Sequence, residues 1–298
     1  MRKETAVIDD VLEVKGLSTW FATDDGDTRV VEDISFSIGR GEVFGLVGES
    51  GSGKSVTSRS IIRLLPEDGS TAYEGEILFQ GSDVLSLNAS RMRALRGNEI
   101  AMIFQDPMSA LNPVYTIGDQ VMESILTHNS VSATKARAMA IETLEAVGYP
   151  SPSDGMEKYP HQLSGGMRQR VVIAIAIACR PTLLIADEPT TALDVTTQKQ
   201  IVELLLTLSQ DRGMAVLFIS HDLNLVADIS NRVAVMYRGK IVEQGTVDEI
   251  FDHPRRAYTK GLISCIPPLH LDVPEHLATV PAGLDEYGDL AVTSVEEA

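Results

Sequence analysis

Short apolar segments alternate with longer amphipathic ones along most of the chain. Four β-branched runs read as strands: 42–47, 99–104, 182–186 and 215–220. Between the last two, Ile201, Leu204, Leu205 and Leu208 fall at i, i+3, i+4 and i+7, which predicts a one-faced helix over 198–209 that Gly213 would stop. A further helical region, 117–147, lies between the second and third strands, and its later half stacks Ala140, Leu144 and Val147 ahead of Gly148 and Pro150. The first 40 residues instead alternate at period two (Val11, Glu13; Ile34, Phe36, Ile38) around an acidic turn at 24–27, as an antiparallel sheet would. A late hairpin is expected over 232–245, turning at Arg238-Gly239-Lys240. The pattern predicts an α/β core, mostly parallel, with an N-terminal antiparallel β subdomain and an inserted helical subdomain.

Composition narrows the function classes. A chain of 298 residues, 44% hydrophobic, can bury a large core. Its longest aliphatic stretch, 171–179, sits between Arg170 and Arg180 and is far short of the roughly 20 residues that span a bilayer. The first residues carry no apolar run of the secretory kind, so the expected compartment is the cytoplasm. Cys179 and Cys265 form no CxxC pattern and read as core thiols rather than a zinc site or disulfide. A net charge of −17 opposes a nucleic-acid partner, because duplex binding draws on Lys and Arg. After Pro267 the periodicity fades into an acidic stretch, so 268–298 reads as a mobile tail or weakly packed appendage to a domain spanning 1–267. Within that domain, core segments are expected at about 11–98 and 160–250, with the helical insert at 107–159.

Chemistry is concentrated in three places. Gly48-Glu49-Ser50-Gly51-Ser52-Gly53-Lys54-Ser55 fits GxxxxGK[ST], follows a strand-like run and opens a helix expected to run to Leu65. Glycines at these positions let backbone N–H groups turn onto phosphate oxygens; Lys54 would reach the terminal phosphates and Ser55 would ligate Mg²⁺. A magnesium–phosphate site also needs a carboxylate at a strand end, and Leu183-Leu184-Ile185-Ala186-Asp187-Glu188 supplies one. Asp187 is the metal-side candidate and Glu188 the group that would polarise an attacking water. The third place is Leu163-Ser164-Gly165-Gly166-Met167, at the start of an apolar helix, which taken alone is an N-cap.

Together these residues resemble the ATP-binding cassette family, whose signature element is matched by LSGGM and whose other markers follow in order across 12–245. The resemblance implies a head-to-tail dimer, with a sibling or an identical copy, in which Ser164, Gly165, Gly166 and Met167 of one subunit grip ATP held by the other's phosphate loop. It makes Gln105 the Q-loop glutamine that senses Mg²⁺ and water, Asp194 a dimer-seam residue or a plain helix cap, and His221 the switch histidine. Adenine would stack on an early aromatic, for which the alignment favours Phe21 over Trp20.

Within the family, FQDPMSALNP at 104–113 and the element from His253-Pro254 through Ala257-Tyr258-Thr259 to Ile266-Pro267 resemble the ATPases of oligopeptide, dipeptide and nickel importers; Arg256 stands where that pattern has proline. The resemblance implies two permease subunits, an extracytoplasmic binding protein and a peripheral place on the cytoplasmic face of the membrane. Met108, Leu111 and Pro113 suit a surface that docks a permease, or pack on the chain's own helices. The cysteine cluster that many such subunits carry after this element is missing, so no iron–sulfur site is expected. A cassette for nickel, a sugar or another solute, and a soluble non-transport cassette, remain the alternatives; no NKxD-type motif favours a GTPase.

Overall fold

The computed structural model describes residues 10–24, 26–105, 110–191, 193–265 and 283–289. In chain order the elements are β1 (Asp10–Thr23), β2 (Gly26–Gly39), β3 (Val43–Val47), α1 (Lys54–Ile61), β4 (Thr71–Phe79), β5 (Ser82–Asp83), α2 (Ala89–Leu95), β6 (Ile100–Ile103), α3 (Ile117–His128), α4 (Ala133–Ala146), α5 (Pro152–Gly155), α6 (Gly165–Ile177), β7 (Leu183–Asp187), α7 (Val195–Arg212), β8 (Ala215–Ile219), α8 (Leu223–Ile229), β9 (Arg232–Tyr237), β10 (Lys240–Thr246), α9 (Val247–Phe251) and α10 (Ala257–Ser264). None of the helices among the described residues is long and apolar enough to cross a membrane. Contacts divide the chain into two units, one made of residues 1–13, 37–43 and 78–219, the other of 14–36, 44–77 and 220–298.

The first unit carries a parallel ribbon β6-β7-β8, in register Ile100↔Leu183 and Leu183↔Ala215, ending at Asp187↔Ile219. Every residue of β7 and β8 is buried, as parallel strands covered on both faces require. Helix α7 makes the crossover between them. It is longer than the periodicity alone predicts, because Asp194 caps its start and Gly213, in the left-handed region, closes its end. Helices α3 and α4 fall inside the expected helical region, each opened by a hydroxyl cap, Thr116 and Ser132. The aliphatic stretch from Val171 belongs to α6, whose Val171, Ile173, Ala174 and Ile177 are buried, the mark of a helix sunk in a core rather than in a membrane.

In the second unit β1 and β2 are joined by two residues, which makes the pair a hairpin around the acidic turn, and β1 also neighbours β4. Strand β3 runs parallel to β9, in register Phe44↔Arg232 to Val47↔Val235, and β9 returns antiparallel as β10. The turn between them puts Arg238 at φ 47° and Gly239 at φ 86°, two positive values that match the twist of a two-residue hairpin.

Three sequence expectations need correcting. Helix α1 stops at Ile61, not Leu65: Arg63 enters the left-handed region at φ 47°, with Leu64 N donating to Arg59 O (2.8 Å) and Arg63 N to Ser60 O (3.0 Å). This is a Schellman end built without glycine, and so without its usual sequence signal. Cys179 is half-buried, its thiol pushed up by burial, but Cys265 is exposed and no core thiol. The third concerns the loop before α3. Leu111 is 4% exposed and packs inward, because Gln120 ties the loop down through Asn112 N (2.9 Å), Asn112 O (3.0 Å) and Tyr115 O (3.1 Å). Pro113 stays exposed, as a docking surface would have it, and beside it stand Val114 (72% exposed) and Tyr115 (55%); Met108 lies outside the described residues.

Candidate nucleotide site

The loop between β3 and α1 is shaped by what its glycines permit. Gly48 has φ 151° and an added Cβ would meet Met236 O at 2.2 Å; Gly53, at φ 107°, caps α1. The backbone is pinned from outside as well, since Gly239 N donates to Ser52 O (2.9 Å) and Glu49 N donates to the hydroxyl of Tyr258 (3.0 Å). Lys54 is 5% exposed, and its ammonium donates to Gly48 O and Glu49 O, both at 2.8 Å, and to Ser52 Oγ at 3.4 Å. The lysine is thus folded over its own loop, its ammonium held by two backbone carbonyls. In the same unit Phe21 is half-buried on β1, while the neighbouring Trp20 ring is covered by the Arg29 guanidinium at 4.7 Å. His221 is exposed, ahead of Asp222, which caps α8 by accepting from Leu225 N (3.2 Å).

The carboxylates sit at the end of β7. Asp187 is 2% exposed; Glu188, the next residue, takes φ 48°, a conformation that costs a non-glycine residue of order 1 kcal/mol and is common where function fixes the backbone. Its N–H donates to Ile219 O (2.9 Å), which fastens this turn to the end of β8. One carboxylate oxygen, Oε2, accepts from Gln105 Nε2 (2.8 Å) and from Thr191 Oγ1 (3.0 Å). The structure therefore joins Gln105 to Glu188 across 83 positions of sequence. It also adds Thr191, whose only sequence signal was a hydroxyl three residues past a candidate base.

Ser164 caps α6, its Oγ accepting from Met167 N at 3.3 Å, and Gly165 faces open space. At Gly166 a Cβ would lie 2.7 Å from Thr197 Cγ2. Thr197 is the residue Asp194 uses to cap α7, donating from N (3.0 Å) and from Oγ1 (2.8 Å), and these bonds hold the Asp194 carboxyl below its ordinary range. The signature turn and the Asp194 cap thus close around one threonine, so the helix-cap reading of Asp194 describes its local work.

Residues 31–191 match the ABC transporter family. The chain is 49% identical over 271 residues to the oligopeptide transport ATP-binding protein OppD of Bacillus subtilis, covering 91% of this chain and 76% of that one. It is 50% identical over 262 residues to the dipeptide transport ATP-binding protein DppD of the same organism, covering 88% and 78%. This chain belongs to the ABC transporter family. It is an ATP-binding, ATP-hydrolysing cassette. Among solved structures, the ATP-binding cassette MJ0796, dimeric in a post-hydrolysis state with ADP and phosphate, superposes with a TM-score of 0.70 at 26% identity over 79% of this chain and 98% of its own. The α/β cassette fold expected from the sequence is therefore present, and the cassette's phosphate-loop and strand-end elements are formed as local structures within their respective units.

Proposed function

We propose that this cassette is the ATPase subunit of an importer for di- or oligopeptides, seated peripherally on the cytoplasmic face of a membrane. It would work head-to-tail with a sibling or second copy, beneath two permease subunits fed by an extracytoplasmic binding protein. The observation that carries the hydrolytic part is Glu188, held at the end of a buried strand by Gln105 and Thr191. The cargo rests on likeness to OppD and DppD across about nine-tenths of the chain.

On this reading Lys54 exchanges the Gly48 and Glu49 carbonyls for phosphate oxygens as ATP enters. Glu188 accepts a proton from the water whose oxygen attacks the γ-phosphorus; the bond to the bridging oxygen breaks, and ADP and phosphate result. Ser164, Gly165 and Gly166 of the opposing subunit would supply a hydroxyl and amides to the same phosphate. Ser55, Asp187 and the Gln105 amide oxygen would be the protein donors to Mg²⁺, hard oxygens of the kind that ion takes, and the ion would neutralise charge on the phosphate oxygens. On the same reading Phe21 would stack on adenine and His221 would lie near the γ-phosphate.

The test is co-reconstitution in vesicles with two permease subunits and a binding protein of a peptide importer from the same source. ATP-dependent uptake of labelled di- or oligopeptides is the expected result. Uptake of nickel or a sugar without peptides would overturn the cargo, and an isolated monomer hydrolysing ATP as fast as the assembly would overturn the composite site.

A further inference from the structure

The peptide group joining Gly48 to Glu49 is held on both edges. Its carbonyl oxygen, on Gly48, accepts from Lys54 Nζ at 2.8 Å; its N–H, on Glu49, donates to Tyr258 Oη at 3.0 Å. On the nucleotide reading above, Lys54 leaves that carbonyl when ATP binds, so the tyrosine becomes the remaining tether. Tyr258 is fully buried, its ring centroid 4.4 Å from that of Tyr237, and burial pushes its hydroxyl up to about 12. It therefore stays protonated at physiological pH and can accept from the loop without placing a negative charge beside the phosphates.

Tyr258 is itself seated by a segment far along the chain. Its N–H donates to Gly288 O (2.8 Å), and Gly288, at φ 74°, comes so near that a Cβ there would lie 2.9 Å from Tyr258 Cβ. The segment 283–289 is anchored by Leu284, 9% exposed, by the Arg256–Asp289 ion pair, and by Lys240, which bonds Glu286 at 2.6 Å and lies over the Tyr287 ring at 4.9 Å. Asp289 also accepts from Ala257 N (3.3 Å), and the Arg256 guanidinium holds its carboxyl below the usual range. Within the stretch read from sequence as a tail or appendage, these seven residues form a docked plug behind a nucleotide-loop tether.

We propose that Tyr258 is a positioning residue of the nucleotide site: its hydroxyl fixes the Gly48–Glu49 peptide in the orientation that receives ATP, and residues 283–289 keep the ring seated. The proposal rests on the phosphate-loop reading above. Tyr258→Phe keeps the ring and deletes the tether. In the full-length chain its ATP affinity, read by titration, should fall about five- to tenfold, the worth of one hydrogen bond. In the assembled transporter KM for ATP should rise by a similar factor and kcat should change less. Asp289→Ala, which loosens the plug and leaves the hydroxyl in place, should move KM the same way by a smaller factor.

A purely structural tyrosine would instead lower the melting temperature and kcat and leave KM alone; that result, or unchanged ATP affinity in Tyr258→Phe, overturns the proposal. Should that variant fail to fold, an unchanged KM in Asp289→Ala overturns it equally. Lys54→Ala separates the two readings. If it keeps wild-type ATP affinity, the phosphate-loop reading and this proposal fall together; if it loses affinity while Tyr258→Phe does not, the proposal falls alone.

Discussion

Replacing Glu188 by glutamine isolates the chemical step from everything around it. Two donors to this side chain, Gln105 Nε2 at 2.8 Å and Thr191 Oγ1 at 3.0 Å, point at the same oxygen, Oε2. A glutamine can keep these two bonds with its single carbonyl oxygen, so the side chain stays tethered to Gln105 and Thr191 while losing its charge and its basicity. The two bonds become neutral rather than charge-assisted, and because Gln105 and Thr191 are exposed the cost to folding is low, about 1 kcal/mol. Loss of a positioned base costs far more in rate, about 10²–10⁴-fold, or roughly 3–5 kcal/mol of activation free energy. Phosphate release from the assembled transporter should therefore fall by at least about a hundredfold. ATP affinity should be retained, and the melting temperature should drop by no more than about 3 °C, the shift that a loss of this size produces in a large domain. Glu188→Ala should lose turnover equally but also release Gln105 and Thr191. Turnover of Glu188→Gln within tenfold of wild type would refute the assignment of the base; loss of nucleotide binding would refute the claim that the substitution preserves the site's shape.

Two further outcomes follow from the fold. Gln169 on α6 is 0% exposed, and neither polar atom of its side chain has a hydrogen-bond partner among the described residues; Gln169→Met should stabilise the chain by about 1–3 kcal/mol, seen as a rise of roughly 2–6 °C in melting temperature, and a fall would show that the amide is satisfied. Val114 and Tyr115 are large exposed hydrophobic residues in the loop ahead of α3, so Val114→Asp or Tyr115→Asp should abolish permease-stimulated hydrolysis while leaving ATP binding and the melting temperature intact, whereas Leu111→Asp should unfold the chain; full transport by both surface variants would remove these two residues from the docking surface.

The parts of the site that could be read from sequence are those whose residues are close in sequence. The phosphate loop is eight consecutive residues, its function written in glycines and one lysine, and Asp187 and Glu188 end a strand whose apolar run is unmistakable. The hairpin at Arg238-Gly239 and the stop at Gly213 were legible for the same reason: a left-handed residue was marked by glycine. Where the chain makes the same turn without glycine, at Arg63, the helix end was misjudged by four residues, from Leu65 to Ile61.

Burial decided the other errors, and burial is not a local property. In 104–113 and the residues after it, apolar side chains follow one another with no period to say which face inward. Only the grip of Gln120 on Asn112 and Tyr115 sorts Leu111 to the inside and Val114 and Tyr115 to the outside. The Glu188–Gln105 bond spans 83 positions and the Glu49–Tyr258 bond 209, so no sequence window could have joined either pair. They differ in one respect that matters for reading such chains. Gln105 carried a family marker and could be suspected before its partner was seen; Tyr258 lay in a recognisable element with no assigned work. Its part emerges only when the hydrogen bond of each loop amide is traced to its acceptor: the amide of Glu49, itself an exposed residue, donates to the hydroxyl of a buried tyrosine whose seat is built by residues 283–289.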